Sequence, residues 1–202
     1  MKSIAEKLLD ISAVSLSPKK PFTWASGIKA PIYCDNRLTL SDVEVRREVE
    51  DALADLIRET FPTCEYIMGT ATAGIGHAAL VAERMDLPMG FVRSAKKDHG
   101  KNKQVEGKLI PGAKVVLIED LFSTGGSSIA AAKALEEEGF DLLGIVSIFT
   151  YGLPACEKNF AEAGYKTASL TNFPELVDVA LSRGDIGEED VAVLDEWRQG
   201  LA

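Results

Sequence analysis

The sequence predicts an α/β fold, a largely parallel sheet with helices on both faces. Two observations carry this reading. Five apolar runs rich in β-branched residues, at 65–69, 88–93, 114–120, 142–150 and 166–170, alternate with helical patterns near 75–86, 125–139 and 153–164. The runs KVVLIED at 114–120 and LLGIVSIFT at 142–150 are almost continuously apolar, the pattern of strands buried on both faces.

Taken in order, the first 40 residues stand apart from this alternation. An amphipathic N-terminal helix precedes PFTWASGIKAPIYCDNR at 21–37, where turn residues separate short β-like pieces; this reads as a flap packed over the sheet edge. Ser41 and Glu44 have the spacing of a capping box and open a helix of about 20 residues. Gly139 stops the helix that carries AAAKALEEE. The stretch from 94 to 108 has no apolar period and is long for a loop in a compact domain, which marks it as functional or disordered. Trp197 anchors an acidic C-terminal helix that begins near GEED at 187–190.

A chain of 202 residues, 46% hydrophobic, is expected to form one domain over residues 1–202. No apolar run is long enough to span a bilayer, and Glu6, Lys7 and Asp10 interrupt any signal-peptide core. Cys34, Cys64 and Cys156 are odd in number and widely spaced, which argues against a disulfide frame or a zinc site and for the reducing cytoplasm. The net charge of −9 disfavours nucleic acid and acidic membranes as partners. One window opposes it: Arg93, Lys96, Lys97, Lys101 and Lys103, against Asp98 alone, form a basic island suited either to solvent or to a small polyanion.

The chemistry is concentrated in VVLIEDLFSTGGSS at 115–128. A buried strand ends in Glu119 and Asp120, and the carboxyl ends of parallel strands are where α/β sheets bind ligands. Ser123, Thr124, Gly125, Gly126 and Ser127 then place backbone N–H groups and hydroxyls at a helix N-terminus, a site for a phosphate monoester. The two carboxylates are acceptors suited to a sugar diol or a metal. A phosphate cup beside diol acceptors describes a ribose 5-phosphate site.

This segment resembles the phosphoribosyl-diphosphate signature of type I phosphoribosyltransferases. Three more segments resemble the orotate-specific members, most closely those of Gram-positive bacteria: the N-terminal hood at 21–37, GTATAGIGHA at 69–78 as a pyrophosphate loop, and VRSAKKDHGKNKQVEG at 92–107 as a mobile catalytic loop. The resemblance implies a twisted sheet flanked by helices, with a hood and a mobile loop, and transfer of a phosphoribosyl group to orotate in UMP synthesis. It implies that Glu119 and Asp120 hold the ribose hydroxyls, with Asp120 also catalytic, and that Leu121, Phe122 and Ser123 through Ser127 line the pentose phosphate. Ser123 also touches orotate, and Arg93, Lys97 and His99 bind the diphosphate, Lys97 and His99 as catalytic groups. Mg²⁺ is expected on substrate oxygens rather than on a dedicated protein site. A homodimer is expected, with each loop at 94–108 reaching its partner's site. Many relatives carry lysines where this chain has Ala25, Ala73 and Ser94; Lys29 and Lys96 are candidate substitutes.

Rival readings leave traces. Gly74-x-Gly76-x-x-Ala79 imitates a dinucleotide fingerprint, but four residues separate it from its strand and no acid ends the next one. Gly69 and Gly74 are not followed by the Lys-Ser/Thr of a Walker loop. A non-catalytic sensor of the activated ribose and transfer to another base are the remaining alternatives. His77 reads as a packed or surface histidine rather than a metal ligand, and Trp24 and Tyr33 either line the base pocket or fill core.

Overall fold

The computed structural model describes residues 3–24, 27–94 and 104–200. Ten strands and seven α-helices occur among them. Six strands form the main sheet, ordered β10 (Thr167–Asn172), β9 (Asp141–Thr150), β8 (Lys114–Phe122), β5 (Tyr66–Thr70), β6 (Met89–Val92) and β7 (Val105–Glu106). All neighbours pair in parallel except β6 and β7. The apolar runs account for this: Tyr66–Thr70 is buried at every residue, and Val115 through Glu119 are buried in succession.

From β5 the chain first builds outward through helix α3 (Ala73–Met85) to β6. It then returns to the other side of β5 for β8, and builds away through α4 (Gly126–Glu137) to β9 and through α5 (Pro154–Ala163) to β10. Right-handed crossovers in opposite directions put α3 and α4 on opposite faces. Helix α2 (Val43–Thr60) packs on α3, and α5 packs on α4. The strand order reverses between β5 and β8, so their carboxyl ends open a crevice there.

The N-terminal part forms the flap. Helix α1 (Ile4–Asp10) lies against edge strand β10 and helix α6 (Phe173–Arg183). β1 (Val14–Leu16) pairs antiparallel with β4 (Ile32–Cys34), and β2 (Phe22–Thr23) with β3 (Lys29–Ala30). A 3-10 helix, Asn36–Ser41, then reaches across to β8 and α3. The flap therefore covers the sheet edge and also roofs the carboxyl end of β8. The last helix, α7 (Glu188–Gly200), sends the Trp197 indole N–H to the Lys29 carbonyl at 3.1 Å, tying the C-terminal segment to the flap. No helix among the described residues is long and apolar enough to cross a membrane.

Two local readings need correction. The cap of α2 is Asp42, not Ser41, and its carboxylate accepts from the Glu44 and Val45 amides. Ser41 is used up as the last residue of the 3-10 helix, and a charged acceptor at a helix N-terminus is the stronger cap. A true capping box occurs earlier, between Ser3 and Glu6. The segment 94–108 is not irregular to its end, because Val105 and Glu106 pair with Val92 and Phe91.

Candidate active site

Glu119 and Asp120 lie near the end of β8, beyond the point where β5 stops pairing with it at Gly69 and Ile118. Glu119 is buried; its Oε1 accepts from the Asp120 amide at 3.1 Å and its Oε2 from the Ser128 hydroxyl at 3.3 Å. Burial pushes its carboxyl up to about 7, and the neighbouring Asp120 carboxylate adds to the effect. Asp120 is half-buried.

The turn after β8 leads into α4, whose N-cap is Gly125 at φ +80°. Glycine has no side chain with which to cap, so the first amides of α4 stay open at the positive end of the helix. An added Cβ on Gly125 would meet the Phe160 ring at 2.9 Å. Helix α5 supports the turn from behind: Asn159 donates to the Thr124 carbonyl at 2.9 Å, and Phe160 packs edge-on against Phe122 with centroids 5.0 Å apart.

Two cavities flank the acid pair. One, of about 270 Å³, is lined by the Thr70–Ala73 turn, Arg93, Ser94, Gln104, Glu119, Asp120 and Ser127. In it Arg93 is held at the end of β6 by mutual backbone and amide bonds with Gln104. Its Nη1 has no hydrogen-bond partner among the described residues and lies 3.8 Å from Glu106 Oε1. The peptide between Ala71 and Thr72 is cis. Gly74, at the start of α3, must lack a side chain because a Cβ would lie 2.4 Å from the Ile118 carbonyl oxygen. The first glycine of the imitated dinucleotide fingerprint therefore serves helix-to-strand packing, while the second, Gly76, faces the Leu40 side chain of the 3-10 helix.

The second cavity, of about 170 Å³, lies under the flap and is lined by Trp24, Tyr33, Cys34, Leu121, Ser123 and Tyr151. Its wall is aromatic: Trp24 lies tilted against Tyr151 with ring centroids 5.2 Å apart and meets Trp197 edge-on at 5.7 Å. Trp24 thus both lines the cavity and packs into the core, while Tyr33 is 46% exposed at the rim. Burial pushes the Cys34 thiol and the Tyr151 hydroxyl well above their ordinary values, so both stay neutral.

Of the residues expected at the site, Glu119, Asp120, Arg93 and Ser127 share the first cavity, and Leu121 and Ser123 the second. Thr124 and Gly125 lie in the turn between β8 and α4, and Gly126 opens α4. Phe122 turns its ring away, toward Phe160 and a separate cavity. Lys97, His99, Lys96 and Ala25 lie outside the described residues. Cys34, Tyr151 and Gln104 were not expected here. Tyr151 follows directly on β9, so the rule that strand ends bind ligands was the signal available for it. His77 is fully buried and its Nδ1 sits 2.7 Å from Glu50 Oε1, a packed position between α2 and α3.

For a divalent cation the donor set is small. Among the described residues no three His, Cys, Asp or Glu side chains gather at one place. Two adjacent carboxylates beside an open cavity fit a Mg²⁺ ion that arrives on substrate oxygens.

The phosphoribosyl transferase domain family matches residues 41–178. An orotate phosphoribosyltransferase of Staphylococcus saprophyticus is 55% identical over 201 residues, covering 100% of this chain and 99% of that one. One from Enterococcus faecalis is 55% identical, covering 98% and 94%. The crystal structure of orotate phosphoribosyltransferase from Aeropyrum pernix superposes with a TM-score of 0.79 at 26% identity, covering 91% of this chain and 99% of that one. A glycine- and hydroxyl-rich turn and an acid pair at the reversal of a parallel sheet, with this likeness over the full chain, place it plainly: the chain belongs to the phosphoribosyl transferase family and, within it, to the orotate phosphoribosyltransferases.

Proposed function

We propose that this chain transfers the 5-phosphoribosyl group of phosphoribosyl diphosphate to orotate, giving orotidine 5′-phosphate and diphosphate for UMP synthesis. The observation that carries the reading is the position of the acid pair and phosphate turn between two unlike cavities. The aromatic-walled cavity under the flap suits a planar pyrimidine, and the polar one beside Arg93 suits the diphosphate.

In the reaction the C1–O bond to diphosphate breaks and a C1–N bond to the base forms. The amides and hydroxyls of Ser123 through Ser127 grip the 5-phosphate, and Glu119 and Asp120 accept from the ribose 2- and 3-hydroxyls. Ser123, shared with the flap cavity, touches the base. With the sugar fixed at three points, the base nitrogen is held in line with C1. Arg93, with Lys97 and His99 from the segment 94–108, stabilises the charge that grows on the departing diphosphate, and His99 is suited to donate a proton to it near neutral pH. Glu119 and Asp120 would flank a substrate-borne Mg²⁺ ion, which when bound would supply further positive charge against the departing diphosphate.

Closure of the segment 94–108 excludes water, which would otherwise capture the sugar cation. We place that segment over the partner subunit's site in a homodimer. The three free cysteines suit a reducing cytoplasm.

The test mixes the pure protein with Mg²⁺, phosphoribosyl diphosphate and one base at a time. Orotate is expected to be consumed in preference to uracil, hypoxanthine and adenine. A preference for another base would refute the substrate assignment, and no turnover with any base would leave the chain a sensor of the activated ribose.

A further inference from the structure

We propose that Asn36 is a positioning residue that sets the base cavity in register with the sugar site; the inference rests on the transfer reading above. Asn36 opens the 3-10 helix that follows β4 and is fully buried. Its Nδ2 donates to the Asp120 carbonyl at 2.7 Å, and its Oδ1 accepts from the Cys34 thiol at 3.3 Å.

The sheet explains why Asp120 has this group to bind. β5 pairs with β8 only as far as Ile118, so the last residues of β8 have β9 on one side and no strand on the other. An unpaired buried carbonyl is costly, and the amide of Asn36 supplies the missing donor from 84 residues away. One end of the Cys34–Asn36–Asp120 chain is thus a wall of the flap cavity. The other is the backbone of the residue that faces the ribose hydroxyls.

An amide satisfies both ends at once whatever the pH. Aspartate at this position keeps the volume and the acceptor for Cys34, but once ionised it sets an oxygen against the Asp120 carbonyl. Serine is too short to reach both partners. Either change unfastens the flap from β8 without touching the phosphate turn or Arg93. Base and sugar are then bound but misaligned, and misplacement by an ångström is enough to slow a bond-forming step severely.

The experiment measures Asn36→Asp and Asn36→Ser beside wild type. It records kcat, KM for orotate, the Kd of phosphoribosyl diphosphate by calorimetry, and the melting temperature. The expected result is a fall in kcat/KM for orotate of about tenfold or more in both folded variants, with the diphosphate Kd within about threefold of wild type. A kcat/KM within about threefold of wild type overturns the role, and so does a Kd that weakens by the same factor as kcat/KM. Failure of both variants to fold overturns it too, because Asn36 is then a structural prop. A wild-type chain that makes no orotidine 5′-phosphate instead overturns the transfer reading itself, so the two failures are distinct.

Discussion

Glu119 is at once a buried residue of the fold and part of the lining of the candidate site. Its carboxyl is buried between the Ser128 hydroxyl and the Asp120 amide, and burial pushes it up to about 7. Between about pH 4.5 and 7 the folded protein therefore keeps a proton that the unfolded chain has released, so stability falls as pH rises across that window. Glu119→Gln abolishes this contribution. In urea titrations of the ligand-free protein at pH 5 and pH 8, the variant is expected to gain on wild type at pH 8 by up to roughly 3 kcal/mol. An unchanged pH slope would contradict the burial argument. Glu50, raised chiefly by its own burial, has the same sign in both proteins and drops out of the comparison. The acid pair itself was legible from the sequence, because two carboxylates ending an apolar strand demand a partner. Which of the two is sequestered was not, since that depends on Ser128, in the first turn of α4.

Among the elements, the turn from β8 into α4 was the most legible and is the most constrained. Gly125 combines φ +80° with the Phe160 ring at its back. Gly125→Ala is expected to weaken binding of phosphoribosyl diphosphate by about tenfold or more, through backbone strain of order 1–3 kcal/mol and displacement of the turn. Calorimetric titration checks this, and a Kd within a factor of two of wild type would show that the turn does not hold the phosphate. The long parallel strands were readable because burial on both faces leaves a continuous apolar signal. Edge strands were harder: β10 is half-polar, so it was read as ending at Leu170 rather than Asn172. Two-residue β7 is too short to show any period. Helix α6 is hidden in the sequence although Pro174 stands in its first turn, because its cap, Asn172, is also the last residue of β10. The flap cavity was legible only by resemblance. Its walls come from Trp24, Tyr33, Leu121 and Tyr151, which no local pattern joins.

At the scale of the whole molecule, the reversal of strand order between β5 and β8 determines where the crevice opens, and the flap and α7 close its far side. The near side is bounded by Ser94 and Gln104, the two ends from which the segment carrying Lys97 and His99 departs. If that segment serves the partner subunit, each site is built from two chains. Lys97→Ala is expected to lower kcat by roughly 10²-fold, and mixing it with Asp120→Asn should restore activity through hybrid dimers that hold one intact site. Assay after verified subunit exchange decides it; no recovery would mean that the segment acts on its own subunit. The account as a whole depends on where the pentose binds. The most direct measurement is a crystal structure of the chain with phosphoribosyl diphosphate and Mg²⁺. The expected complex has the 5-phosphate on the amides of residues 123–127 and the ribose hydroxyls against Glu119 and Asp120. A pentose bound anywhere else, including the cavity beside Phe160 and Asn172, would contradict it.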